Sequence, residues 1–461
     1  EPWPHRALVG AALVFLRLPT GPSAAMGAGA SAEVAEAEGV KVLNDCLYVD
    51  HRTRQQRHGQ LASDAVHSAA MDAPPRASHD DLDGLQEALD DTEGREGSAG
   101  FTCAAPRCMG ASRRTARELL SKALELVKAV GEEQKDLHDE DWQGPGGSDP
   151  LEQLFDTDDQ EDIADAVKQL ARGVQAIVSH EKRIQEVSAP VTVFGDIHGQ
   201  LRDMLLLFHD FGFPHAHGEQ FVFNGDWVDR GKHQIEVVSL VFALKITFPT
   251  KVFLNRGNHE DAEMNERYGF KDQCLERLGE SDGLEAFEAV TTAFTYLPLG
   301  CRINGKVLVV HGGIGDGRWD LEDIEETSKP LTSDNVSEKH NWPAQNMLWS
   351  DPIAEDNPDG VVRGVHNSPR SDDGIIKTFG MDVTKSFLER NDLQLIIRSH
   401  EFVEDGHGYE VEHGGRLMRV FSARDYQGES GNGGAVLHLD LEDDVLCVQP
   451  QVLIALGKQQ P

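Results

Sequence analysis

The sequence predicts an α/β fold, and three observations carry that prediction. From Val191 onward, short apolar runs rich in Val, Ile and Phe alternate with stretches of helical spacing. The runs are apolar at consecutive positions, which marks strands buried on both faces. Chemistry-bearing residues then stand where the runs stop. These are Gly195-Asp196-Ile197-His198-Gly199, Gly225-Asp226-Trp227-Val228-Asp229-Arg230-Gly231, Gly257-Asn258-His259-Glu260, His311-Gly312-Gly313 and Arg398-Ser399-His400-Glu401. Sites in open α/β sheets form at the carboxyl ends of strands, so segments distant in sequence are expected to converge.

Residues 1–112 are rich in Ala, Gly, Ser, Asp and Arg without a sustained period and read as mostly disordered. Within them, 7–16 (ALVGAALVFL) has the look of a short signal core, interrupted by Arg17 and Pro19. Met26-Gly27-Ala28-Gly29-Ala30-Ser31 fits the pattern for N-myristoylation, which operates only if translation starts at Met26. One such chain at Gly27 would give marginal, reversible membrane binding, so any membrane association is expected to be peripheral. Residues 113–150 read as a helix and linker. Ala116, Leu119, Leu120, Ala123, Leu124, Val127 and Val130 fall on one helical face, Gly131 ends it, and QGPGGSDP follows at 143–150.

The main domain is expected over 151–461. A helix near 160–181, with Ile163, Val167, Leu170, Val174 and Ile177 on one face, precedes the strands. The strands are VTVF (191–194), FVF (221–223), KVFLN (251–255), KVLVV (306–310) and LQLII (393–397). No repeat at a fixed period is present. The acidic clusters at 156–162 and 439–444 lack the Gly and terminal Glu of an EF-hand loop.

Composition excludes some classes. A formal net charge of −36 disfavours nucleic-acid phosphates as partners. No run of 18 apolar residues exists to cross a membrane. Six cysteines without a Cys-x-x-Cys pair point to a reducing compartment, cytoplasmic or nuclear, rather than to a disulfide framework.

The terminal residues of the runs supply a metal-ligand set. Asp196 and His198, two apart on a strand-exit loop, can face one cation, and Asp226 has two oxygens with which to bridge a pair. Asn258 offers an amide oxygen, and His311 and His400 offer imidazoles. Mixed N/O ligation suits Mn, Fe or Zn better than Ca or Cu(I). Two such ions, roughly 3.5–4 Å apart, clamp a phosphoryl group and activate water for direct attack on phosphorus. His259 adjoins Asn258 and is free to protonate a leaving alkoxide, with Asp229 holding its tautomer. Arg230 supplies a planar fork for phosphate oxygens.

From about Ile184 to about Leu439 these segments resemble the PPP family of metal-dependent serine/threonine protein phosphatases. Within it, FNGDWVDRGK, FLNRGNHEDAEMNERYGF and FSARDYQGESGNGGAVL are most similar to the EF-hand branch, with the TPR-bearing branch close behind. The resemblance implies a calcineurin-like metallophosphoesterase fold, two β-sheets packed face to face with helices outside. It implies two divalent metals, one on Asp196, His198 and Asp226, the other on Asp226, Asn258, His311 and His400. Asp229 and His259 would be the acid pair, Arg230 and Arg363 would hold phosphate, and Tyr426 would line the pocket. The implied activity is hydrolysis of phosphoserine and phosphothreonine esters in phosphoprotein substrates.

The competing readings are a small-molecule or dinucleotide polyphosphate phosphoesterase on the same fold, and a scaffold that has lost catalysis. Three departures from the family bear on the pocket. Asp425, beside Arg424, stands where Asn is usual; an aspartate there would repel phosphate unless Arg424 compensates. Extra residues lie between Arg363 and Phe379. Gln427 stands where several members carry Cys, so covalent toxin capture there is not expected.

Overall fold

The computed structural model describes the strands β1 (Leu13–Arg17), β2 (Val40–Leu43) and β3 (Tyr48–Val49), and residues 106–132, 137–215, 218–354, 363–403, 406–428, 430–442 and 445–456. Thus the segment expected to be mostly disordered contains three short strands. β1 lies within and just beyond the apolar run at 7–16, and both β1 and β3 pair with the strand Val445–Leu453. Met26 and Gly27, with the lipidation motif, lie outside the described residues.

Helix α1 (Pro106–Glu132) starts upstream of the expected 113 and runs one residue past Gly131, its expected end. Two helices follow, α2 (Pro150–Phe155) and α3 (Gln160–Val178). The proline-glycine stretch between α1 and α2 is docked rather than loose: Asp149 accepts from Leu151 N at 2.9 Å, capping α2, and is gripped by both oxygens through Arg277. The acidic cluster at 156–162 is a helix start, since Asp159 accepts from Glu161 N and Asp162 N at the head of α3.

The strands that follow are β4 (Ile184–Val187), β5 (Val191–Phe194), β6 (Gln220–Phe223), β7 (Val252–Leu254), β8 (Gly300–Ile303), β9 (Val307–Val310), β10 (Asp351–Pro352), β11 (Val365–Asn367), β12 (Lys377–Phe379), β13 (Leu395–Arg398), β14 (Tyr409–Glu412), β15 (Leu417–Val420), β16 (Gly434–Glu442) and β17 (Val445–Leu453). Among the described residues they form an eight-stranded sheet, β2-β1-β17-β16-β5-β6-β7 with β3 beside β17, a six-stranded sheet, β14-β15-β13-β9-β8-β4, and a small sheet β10-β12-β11. β5, β6 and β7 are mutually parallel, as are β9, β13 and β15.

Strand periodicity shows why consecutive apolar residues were needed. Val191, Val193, Val307, Val309, Leu395 and Ile397 meet in a core between the two large sheets. Their neighbours in sequence point the other way. Phe194, Phe221 and Phe223 pack under α1, α3, α4 (Leu201–Phe211) and α5 (Gln234–Thr247), whereas Leu308, Val310 and Ile396 pack under the helices of the opposite face. The result is helix, sheet, sheet, helix. A one-residue slip would exchange the two cores, so the register is strongly specified. Leu119, Leu120 and Val127 of α1 lie in the same core as Val167 of α3 and Phe242 of α5, so α1 belongs to one packed unit with the helices beyond residue 151. No helix of the described residues is long and apolar enough to cross a membrane.

Candidate active site

Every metal-ligand residue expected from the sequence follows a parallel strand of one of the two large sheets, and the strand ends meet. Asp196 and His198 follow β5, Asp226 follows β6, Asn258 follows β7, His311 follows β9 and His400 follows β13. The backbone is bent sharply there. His198, Asp226, Asp229, Arg230 and His400 all have left-handed φ, between 45° and 74°. Such conformations cost on the order of 1–3 kcal/mol each and persist where surrounding structure imposes them. At Asp226 the imposing group is Glu260, whose buried carboxylate accepts from Asp226 N at 2.7 Å, Trp227 N at 2.9 Å and Gly257 N at 2.7 Å. Glu260 stands in the Asn-His-Glu run of the sequence, but its role as a clamp on a loop more than thirty residues upstream is not legible there.

The donor atoms converge. His198 Nδ1 bonds the Val228 carbonyl at 2.9 Å, which leaves Nε2 facing Asp226 Oδ2 at 3.5 Å and Asp196 Oδ2 at 3.8 Å. His311 Nδ1 bonds the Asn224 carbonyl at 2.8 Å, which leaves Nε2 at 2.9 Å from Asn258 Oδ1, 3.2 Å from His400 Nδ1 and 3.3 Å from Asp226 Oδ2. An imidazole fixed through one nitrogen by a carbonyl is the usual arrangement for a metal-ligating histidine. Asp196 Oδ2 is buried with no hydrogen-bond partner among the described residues. Two triads of donor atoms result, His198-Asp226-His259 and Asp226-His311-His400, and Asp226 belongs to both. The set fits two divalent cations.

The electrostatics agree. Burial, then the charge of Asp226, pushes Asp196 up to about 7. Burial, then His259, pushes His198 down to about 3, and burial pushes His400 well below its usual value with help from Arg370. Both therefore stay neutral, the ligand form of histidine. His311 goes the other way, to about 9, because Asp226 and Asp196 outweigh its burial. Carboxylates packed this closely in a buried site call for cationic compensation.

His259 and Asp229 form a short pair, Nδ1 to Oδ2 at 2.7 Å. The carboxylate is itself fixed by Asn265 Nδ2 at 2.9 Å and Phe270 N at 3.2 Å. Asp226 and Asp229 raise His259 above its ordinary value against the effect of burial. The Arg230 guanidinium is 3.9 Å above the Tyr268 ring, and that ring lies 5.3 Å from His259. Tyr426 stacks on His198 with centroids 5.0 Å apart.

Among the described residues no contact joins Arg363 to the other site residues. It is exposed, its carbonyl accepts from His366, and no hydrogen bond or ion pair reaches its guanidinium among the described residues. Arg370, from the extra residues before β12, lies beside the site instead. Its Nε is 2.5 Å from Asp351 Oδ2, and its charge is the largest single charge acting on His400. Asp351 also binds Arg398, at 2.8 Å, and lies 3.9 Å from His400 Nε2. The only sequence signal for Arg370 is that the insertion carries an arginine.

Asp425 does not confront the site with a free charge. Its carboxylate accepts from Leu456 N at 2.8 Å and faces His138 at 3.9 Å. Arg424 pairs instead with Asp203, at 3.0 Å. The feared repulsion is thus met by the Leu456 N–H first, with Arg424 and His138 nearby, although Arg424 makes its ion pair with Asp203.

Comparison with known proteins adds three findings. Residues 189–404 match the family model of the calcineurin-like phosphoesterases. The serine/threonine-protein phosphatase BSL2 of Arabidopsis thaliana is 37% identical over 312 residues, 67% of this chain, and the chain spans 29% of that relative's length. The solved protein serine/threonine phosphatase of Saccharomyces cerevisiae, described as similar to human phosphatase PP5, superposes with a TM-score of 0.54 at 32% identity, over 65% of this chain and 91% of the other.

Proposed function

Since the chain belongs to the calcineurin-like phosphoesterases, and among them to the serine/threonine protein phosphatases, we propose that it hydrolyses phosphoserine and phosphothreonine esters in proteins with two bound metal ions. The observation that carries this reading is the pair of donor triads sharing Asp226, in the first of which we give the ligand place to the unbonded Asp196 carboxylate and keep His259 as proton donor. Asp196, His198 and Asp226 would hold one ion, and Asp226, Asn258, His311 and His400 the other. Their mixed nitrogen and oxygen donors suit Mn, Fe or Zn. Such a pair supplies Lewis acidity toward phosphoryl oxygens and a lowered pKa for the attacking water.

The remaining roles fall to side chains around the triads. His259, held by Asp229, is positioned to donate a proton to the departing serine or threonine oxygen. Arg230 has a planar fork for the phosphate oxygens, kept extended by stacking on Tyr268. We give the second phosphate-holding part, which the resemblance gave to Arg363, to Arg370, because Arg370 binds Asp351 and Asp351 lies 3.9 Å from His400. Tyr426 forms a wall of the pocket through its stack on His198. Tail lipidation at Gly27 would add at most reversible membrane contact.

The test is turnover by the purified chain in Mn(II) on phosphoserine, phosphothreonine and phosphotyrosine peptides and a dinucleotide polyphosphate. Chelation should stop the reaction, and the first two substrates should be preferred. Faster turnover of the dinucleotide would move the assignment to small-molecule chemistry.

A further inference from the structure

The segment 137–142 stands next to a proline-glycine linker in the sequence, yet its Asp139 and Trp142 are buried, against the helix start at Arg202 and the turn at Lys232-His233 that flank the loop carrying Asp196 and His198. Two sets of contacts join them. The first is at the start of α4, two residues beyond Gly199. That helix has no side-chain cap of its own, because Gln200 turns away to Asp203 and the Arg424 carbonyl. Asp139 provides the cap from a distant part of the chain: its Oδ1 accepts from Arg202 N at 2.8 Å, and Arg202 in return donates to the Leu137 carbonyl at 2.8 Å. Asp139 is 4% exposed.

The second set is on the other side of the loop. Lys232 Nζ donates to the Trp142 carbonyl at 2.8 Å, and the buried Trp142 indole meets the His233 ring edge-on at 5.5 Å. His233 N donates to the Gly199 carbonyl at 3.0 Å. Gly231 packs so closely on His198 that a Cβ there would fall on the His198 carbonyl oxygen. The strap therefore reaches His198 from two directions, through the helix that follows it and through the turn that covers it. No comparable contact from 137–142 reaches His311 or His400 among the described residues.

We propose that residues 137–142 are a strap that positions the first metal-binding loop, with Asp139 as the positioning residue. The strap sets where Asp196 and His198 stand relative to Asp226, without touching substrate. The inference deepens the phosphatase reading and rests on it only for its kinetic arm. Positioning groups behind metal ligands typically change metal affinity by 10–100-fold, and the lower end is expected here because Asp139 acts through backbone.

The test compares the full chain with D139A, D139N and K232M, each checked for folding by circular dichroism and Tm. Mn(II) is titrated calorimetrically into chelator-treated protein, and phosphopeptide turnover is followed against Mn(II) concentration. D139A should weaken one of two Mn(II) sites about tenfold, leave the other unchanged, and regain turnover in excess Mn(II). D139N keeps an oxygen for Arg202 N and should behave much like the parent. K232M should shift the same site by a smaller factor, and it carries the test if D139A does not fold. Unchanged Mn(II) affinity in folded D139A and K232M would overturn the proposal. So would equal weakening of both sites, or lost turnover that follows lost fold and is not restored by Mn(II). A parent chain that binds two ions with the expected D139A effect but cleaves no phosphoprotein would sink the functional reading and leave the strap standing.

Discussion

The two large sheets contribute unequal halves of the site. The eight-stranded sheet brings Asp196, His198, Asp226, Asp229, Asn258 and His259 from three adjacent parallel strands, each within a few residues of a strand end. The six-stranded sheet brings His311 and His400, with Arg398 at the end of the strand that precedes His400, and completes its side with Asp351 and Arg370 from separate segments. One half is written as contiguous motifs, and the other is assembled in space. Asp226 alone belongs to both donor triads among the described residues. The comparison says which residues should be indispensable to both halves and which serve one.

The largest effect is expected where the halves join. Asp226→Asn removes a charge from both triads while keeping shape, and Glu260 still holds the backbone of the turn. Loss of the shared carboxylate should lower phosphate release by roughly 10³-fold or more, since metal clamping is worth several kcal/mol. Metal analysis of the variant should find both ions depleted. Retention of one ion at full strength would show that the halves are independent.

His259→Gln acts on the eight-stranded side only. Turnover of alkyl phosphates should fall by roughly 10²–10⁴, the usual span for general acid catalysis, with both metals retained. Aryl phosphates have better leaving groups and should lose much less. Equal losses on the two substrates would remove His259 from the acid role.

Legibility divides along the same line. The strand runs, their two-sided burial and the six residues proposed as ligands are readable because each is local: an apolar run, a turn, a polar residue. Arg370 is not, because its place depends on Asp351 and Arg398, which precede and follow it by many residues. Arg363 is favoured only by its Arg-Gly-Val context. The strap at 137–142 is invisible in the sequence for a related reason, since Asp139 caps a helix 63 residues away. Glu260 is visible as a letter and not as a clamp.

The spatially assembled half is sharpened by a pair of arginine variants. Arg370→Ala should lower kcat/KM for phosphopeptides by roughly 10–100-fold, the worth of a hydrogen bond to a charged group. Arg363→Ala, exposed and outside the network, should stay within about twofold, as surface substitutions generally do. Reversal of that order in steady-state assays would return the phosphate-holding role to Arg363.

The smallest effect is expected at Asp425, the position where sequence comparison raises the most concern. An aspartate beside a phosphate pocket should repel substrate, and replacing it should then raise affinity. The carboxylate is instead engaged by Leu456 N and faces His138. Burial raises its pKa above the ordinary range, while the Leu456 N–H and then Arg424 oppose that rise. Asn at 425 keeps an oxygen for Leu456 N and loses only a charge that already accepts from that N–H and faces His138. Asp425→Asn should therefore leave KM for phosphopeptides within about twofold, as expected for a substitution that breaks no buried hydrogen bond. A KM drop of about tenfold, measured across a range of salt, would mean that the charge is felt in the pocket and that the halves are linked through the 424–428 turn.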